Sequence, residues 1–406
     1  MQAINKRNGV NFLVAYLLSA FGYEFIFFGM TIYVYQVSQS PFKVGIFAAL
    51  TFLPRLFASF SGIVIDQYSR KKVFAWVAAT TGCLTALLSL SSSMAWIYPV
   101  WLLISVFLTF IFNVRTALMT EIMTQDHFLR GNSLVLVLLN AAKVSAPVLA
   151  GGVSAAFGVT SLFYCTGVIY VLAALFCAGI RLAQTTPAPK KRGALSDLKD
   201  ALQYIKASPD VRRLISIGIL WRLFIGLQVS LFVIYVKTSL SGNDADYGIF
   251  MTTIGAGSIA GSVLGPWLVK RISCSRVLFW GLSLHYGSFI LLGFLHELYA
   301  ALILIFFSYM IFYATLVQLH SLRDKSTRTD MRGRVYGSVT AVLTPPAILS
   351  MLAGGYLANQ FGAENVLIGA GALALGSFYL LHLLSYFSSA RVSGLPAALA
   401  KENDEQ

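Results

Sequence analysis

Apolar residues in this chain come in unbroken blocks of about 20 to 25, separated by short polar turns, and that period matches neither an amphipathic helix nor an alternating strand. A helix rising about 1.5 Å per residue needs about 20 such residues to cross a hydrocarbon layer roughly 30 Å thick. The pattern predicts membrane spans at about 11–36, 42–65, 73–92, 96–118, 131–155, 160–180, 212–237, 246–269, 277–295, 298–320, 335–358 and 363–388. The expectation is an all-α membrane protein of twelve transmembrane helices.

The polar stretches divide the chain. Residues 1–183 form a first six-helix half and 212–390 a second, with a connection at 184–211 and a tail at 391–406. Within the connection, Leu195, Leu198, Leu202 and Ile205 share one helical face, which predicts a short amphipathic helix on the membrane surface. The halves repeat each other. Gly62 corresponds to Gly265, and the segment from Thr124 to Gly158 aligns with Arg328 to Gly362, matching Asp126 to Asp330, Arg130 to Arg334 and Phe157-Gly158 to Phe361-Gly362. In that alignment Leu149-Ala150-Gly151-Gly152 faces Leu352-Ala353-Gly354-Gly355. A like-oriented repeat of six spans is a transporter design, with the ligand near the midplane between the halves.

Composition sharpens the picture. With 57% hydrophobic and 11% charged residues the chain cannot be a water-soluble globule. The net charge of +14 does not point to nucleic acid, because the basic residues, among them Lys6, Arg70, Lys71, Lys72, Lys190, Lys191, Arg192, Lys270, Arg271 and Arg334, gather on one set of turns and both tails. Only Lys43 and Lys237 fall on the other side. This asymmetry predicts an inner-membrane protein with both termini in the cytoplasm. Cys83, Cys165, Cys177 and Cys274 are scattered, without metal-ligand spacing, and read as packing residues.

Charges inside the spans carry the candidate chemistry. Of the sixteen carboxylates Glu24 alone sits deep in an apolar block, about 20 Å along the first span. A carboxyl group withdrawn from water favours its neutral form, so it can take up and release a proton. Arg55, Arg115, Lys143 and Arg222 also fall within spans and are expected to be buried facing the interior with partners. Four cations against one acid suit a negatively charged or oxygen-rich substrate. His285 and His320 are expected to be hydrogen-bonded packing residues.

The segment running from Gly62 through Asp66 to Arg70-Lys71-Lys72 resembles the major facilitator signature G-x-x-x-D-x-x-x-R-K between spans two and three, although Gln67 and Ser69 replace its usual Arg and Gly. In the second half Gly265 is followed by Val269 where the acid would stand. Arg115 and the string Ala146-Pro147-Val148-Leu149-Ala150-Gly151-Gly152 are similar to the family's buried Arg and to a loosened exporter-type element. With the wording of residues 38–73, the chain is most similar to the macrolide-efflux and enterobactin-exporter branch.

The resemblance implies a conformational latch at Gly62, Asp66, Arg70 and Lys71, and a cavity lined by spans one, four, seven and ten. It also marks Pro147, Gly151 and Gly152 as the exporter-type motif, and the charges within the spans suggest proton coupling through Glu24 and Arg115 with substrate contacts from Arg222, Lys143, Gln228, Gln318 and Tyr23. The expected function is secondary export of an amphiphilic or anionic small molecule, a siderophore or macrolide-like drug, by proton antiport. A proton-coupled uptake symporter and a membrane receptor without transport are the alternatives. No nucleophile triad, metal cluster or phosphate loop is present in the sequence, so an enzyme is not expected. The partners expected are a small-molecule substrate and the lipid bilayer, with no nucleic acid, no cofactor and no metal, and the chain is expected to work as a monomer driven by an ion gradient.

Overall fold

The computed structural model describes residues 6–57, 61, 65, 67–122, 125–181, 203–327 and 332–390. Gly62 and Asp66 of the expected latch, residues 182–202 of the connection and the tail at 391–406 lie outside them. Among the described residues the long elements are helices: α1 (Lys6–Ser38), α2 (Pro41–Phe52), α3 (Arg70–Leu87), α4 (Met94–Ile122), α5 (Gln125–Phe157), α6 (Ser161–Ala178), α7 (Pro209–Thr238), α8 (Asp244–Val269), α9 (Cys274–Leu292), α10 (Leu298–Ser326), α11 (Arg332–Phe361) and α12 (Ala363–Ala390). Nine helices among the described residues are long and apolar enough to cross a membrane, and Arg276–Leu292 within α9 is a shorter apolar one.

Local chemistry explains several boundaries. The second expected span is not one smooth helix: α2 gives way to a 3-10 segment, Leu53–Phe57, that contains Pro54. A proline inside a helix removes one backbone hydrogen bond and crowds the preceding turn, so the chain tightens there. Hydroxyls in the apolar stretches satisfy themselves on their own helix, as Thr31 does on the Phe27 carbonyl at 2.6 Å and Thr81 on Val77 at 2.7 Å. α5 and α11 both end on a glycine in the left-handed region, Gly158 and Gly362, each at φ +81°. Their amides close the helix on Ser154 and Ala358 at 2.9 and 3.0 Å.

The repeat is visible in how the halves meet. α2 packs on α11, and α5 on α8. A methyl group on Gly45 would lie 2.6 Å from the Met351 carbonyl oxygen, and one on Gly248 would lie 2.6 Å from that of Pro147. A methyl on Gly355 would meet the Pro41 carbonyl at 2.6 Å, and one on Gly151 that of Asp244 at 2.7 Å. These four contacts are two copies of one arrangement. They pair Gly151 with Gly355, one residue on from the Gly151 to Gly354 match read in the sequence, because the glycine whose backbone is approached defines the register.

Contacts between the halves crowd toward one face. The Gly45–Gly355 and Gly151–Gly248 approaches, the Phe28–Tyr247 ring stack at 5.0 Å and the Phe42–Tyr356 ring contact at 6.0 Å lie toward the ends of α1, α5 and α11 and the starts of α2 and α8. That face, opposite the N-terminus, is called the distal face below. Buried Phe12, Phe47, Trp101 and Phe163 fill the first half, and Phe250, Phe289 and Phe312 fill the second.

Candidate functional site: a lone carboxylate among cations

α1 carries Glu24 with Tyr23 next to it in sequence and Tyr16 about two turns earlier. The Glu24 side chain is half-buried in the middle of the helix. Among the described residues no cation comes within 4 Å of its carboxylate to form an ion pair. Three cations of other elements lie near enough for their charges to bear on it: Lys143 on α5, Arg55 in the 3-10 segment and Arg115 on α4.

Each cation is held in its own way. Arg115 is buried and lies over the Tyr16 ring at 4.2 Å, with the Phe112 ring at 5.1 Å. Its neighbours are aromatic faces instead of an acid, a contact that gains strength away from water. Arg55 is half-buried, donates to the Tyr23 hydroxyl at 2.8 Å and covers the Phe52 ring at 4.2 Å. Tyr23 in turn stacks on Phe27. Lys143 departs from the expected burial: its side chain is exposed. Its backbone is turned toward α8, where a methyl on Gly255 would lie 3.2 Å from the Lys143 carbonyl.

The remaining expected substrate residues form a second group in the C-terminal half. Arg222 on α7 is half-buried over the Trp221 ring at 4.7 Å. Gln228 is buried and accepts a hydrogen bond from the Tyr309 hydroxyl, while its side-chain nitrogen has no partner among the described residues. Gln318 is buried on α10. His285 is fully buried, with Nδ1 2.9 Å from the Ser308 hydroxyl and its ring stacked on Phe312 at 4.3 Å, the packing role expected for it. Contacts tie Arg55 to Tyr23 and Arg115 to Tyr16 on α1, whereas Arg222, Gln228 and Gln318 stand on α7 and α10 of the other half.

Near the expected latch, Arg70 at the start of α3 donates to the Ala117 carbonyl at 3.1 Å and lies 3.7 Å from Glu121, tying α3 to α4. Lys71 is half-buried beside it, and its carbonyl lies 3.7 Å from the Cys177 sulfur. A groove of about 630 Å³ between α3 and α4 is lined by Gln67, Lys72, Trp76 and Phe107, away from Glu24. In the exporter-type string, Gly151 has a packing reason, since α8 backbone fills the space beside it, whereas a methyl on Gly152 would meet nothing within 4 Å.

Sequence reasoning missed Asp244. It stands in the first turn of α8 and is only 7% exposed. Lys237 pairs with its Oδ1, the Gln36 amide donates to both carboxylate oxygens at 3.3 and 3.2 Å, and Ser154 donates to Oδ2 at 2.6 Å. The signal that locates it is the cap: Asn243 accepts from the amides of Ala245 and Asp246 at 2.8 and 3.0 Å, and the Asp246 carboxylate accepts from the Asn243 amide at 2.8 Å. That box starts the helix one residue before Asp244.

Two like-oriented sets of helices meeting along α2/α11 and α5/α8 agree with the sequence match, which runs over residues 12–344 to the profile of the Major Facilitator Superfamily. The chain belongs to the major facilitator superfamily. It is a membrane transporter of that type and not an enzyme. Over 393 residues it is 24% identical to the uncharacterized MFS-type transporter YfiS of Bacillus subtilis (strain 168), covering 91% of each chain. Its fold is similar to that of the nucleoside transporter NupG, with a TM-score of 0.77 at 12% identity, covering 93% of this chain and 98% of that one. It is also similar to a bacterial homologue of the iron transporter ferroportin in an inward-facing state, with a TM-score of 0.72 at 17% identity over 94% and 99% of the two chains. A bacterial homolog of the human lysosomal transporter Spinster, inward-facing and unoccupied, matches with a TM-score of 0.72 at 13% identity over 98% and 100%.

Proposed function

We propose that this chain is a secondary transporter that moves an anionic or amphiphilic small molecule across the inner membrane, with Glu24 carrying the coupling proton. The observation behind the reading is a mid-helix carboxylate, half-buried and without an ion-pair partner among the described residues, with three cations from three other elements around it. An acid at membrane depth that serves no structural pair is a functional group by default. Twelve spans, both termini in the cytoplasm and a monomeric working unit complete the proposal.

The sign of the coupling follows from the charges. While Glu24 is ionised it offsets part of the positive field of Lys143, Arg55 and Arg115. Protonation removes that offset, so an anion binds more tightly to the protonated protein, and by linkage the anion holds the proton more tightly. Proton and anion then travel together, and an inward proton gradient drives the anion inward. Export by antiport, as the branch resemblance suggests, requires a substrate that competes with the proton, such as a macrolide-like drug bearing a cationic amine. The packing role of Gly151, mirrored by Gly355 in the other half, takes weight from the exporter-type string.

The test is transport in proteoliposomes with an imposed pH gradient, using a carboxylate siderophore, a catecholate siderophore and a macrolide. The first two should accumulate with the proton, with binding that tightens about tenfold per unit of acidification over the titration of Glu24, the slope of a single linked proton. Glu24→Gln should bind them with flat pH dependence, fail to concentrate them, and keep its folded yield. Gradient-driven accumulation by Glu24→Gln would reject Glu24 as the carrier. Binding that weakens on acidification would assign antiport.

A further inference from the structure

We infer that Asp244 is the catch that holds the two halves together on the distal face, and that its ties to Gln36 and Ser154 are the ones broken in each transport cycle. The inference rests on the reading that the halves rock about a central site. Four side chains meet at this point, two from each half. Asp244 and Lys237 belong to the C-terminal half, on α8 and the last turn of α7; Gln36 and Ser154 belong to the N-terminal half, near the ends of α1 and α5.

The local fold prepares Asp244 for this part. The turn at 238–243, with Ser241 at φ 52° and the Gly242 amide bonded to the Val236 carbonyl at 2.8 Å, folds the end of α7 against the start of α8. It sets Lys237 opposite Asp244, each at the helix end whose dipole suits its charge. The carboxylate is thus neutralised inside its own half. It then takes hydrogen bonds from neutral donors of the other half, and hydrogen bonds to an ionised acceptor are stronger than those between neutral groups. Directly beside it the backbones of α5 and α8 touch at Gly151 and Gly248, so separating the helices at this face must break both cross-half ties.

The division of labour makes the catch reversible. When the halves part, Gln36 and Ser154 can turn to water, while Asp244 keeps Lys237, and no bare buried charge is created. Losing the two ties should therefore shift the balance of states without unfolding the C-terminal half.

Spin labels at Phe157→Cys and Tyr299→Cys, both exposed on the distal face and one in each half, report opening in a background without native cysteines. A second pair, Tyr68→Cys and Ile272→Cys, reports the opposite face. In Gln36→Ala/Ser154→Ala the ratio of distal-open to distal-closed molecules should rise about tenfold or more, with the second pair moving the opposite way, as expected for two hydrogen bonds to a charged acceptor. Ser154→Thr, which keeps the donor, should restore the wild-type ratio. Unchanged distances in the double variant overturn the inference, and so does a lower melting temperature with unchanged distances, which assigns a structural tie only. If even Gly151→Leu, which forces α5 from α8, leaves every distance unchanged, the rocking reading itself fails and not the part assigned to Asp244.

Discussion

The two seams between the halves share a backbone and differ in chemistry. At α2/α11 and at α5/α8 a glycine from each helix admits the other's main chain, with the same carbonyl approached from the same side. Around the α2/α11 contact the polar tie is a Ser40 hydroxyl 3.4 Å from the Asn359 side chain, next to the exposed Phe42 and Tyr356 rings. Around the α5/α8 contact a buried carboxylate gathers a lysine, an amide and a hydroxyl. The duplicated fold supplies the closing geometry twice, and the strength of closure is concentrated on one side. Pro41 occupies in the first repeat the place that Asp244 has in the second, and a proline has no side chain with which to hold anything.

Breaking the shared part should have the largest effect. Gly151→Leu and Gly355→Leu each drive a side chain into facing backbone, so each should cut transport more than tenfold and populate distal-open molecules in the spin-label measurement. Equal losses at the two positions would confirm that the backbone contact works the same way in both seams. A smaller effect is expected from Thr252→Val, which removes the hydroxyl bond to the Val144 carbonyl at 2.8 Å across α5/α8. That bond should contribute about 1 kcal/mol, read as a few-fold change in the distal ratio. Ser40→Ala at α2/α11 should change that ratio less than twofold, because its tie is long and exposed; a shift as large as that of Gln36→Ala/Ser154→Ala would erase the asymmetry. Smallest of all, Gly152→Ala should leave transport unchanged and the melting temperature unchanged or slightly raised, since nothing stands within 4 Å of the added methyl and alanine suits a helix interior better than glycine.

Much of this architecture is legible in the chain because lipid imposes a simple rule: every span must be long, apolar and helical. The α1, α4, α7 and α10 positions follow from hydropathy, and the Phe157-Gly158 and Phe361-Gly362 pairs mark where two equivalent helices stop. Glu24 stands out because it is a lone acid in a long apolar block. Lys143 was harder to read, since a span position says nothing of which side of the helix it occupies, and its side chain is exposed. Asp244 was hidden for a different reason. In sequence it belongs to the polar turn Ser241-Gly242-Asn243-Asp244, and it becomes buried only when Gln36 and Ser154, 208 and 90 residues away, are folded over it.

The pairing of Lys237 with Asp244 within one half also bears on electrical behaviour. Moving one elementary charge through a 100 mV membrane potential changes the energy by about 2.3 kcal/mol. A group that travels as a matched plus and minus presents almost no net charge to that field. Voltage therefore has little purchase on the Lys237–Asp244 pair when the distal face parts, and under the proposed scheme the voltage sensitivity of transport comes from the proton on Glu24 and the charge of the cargo.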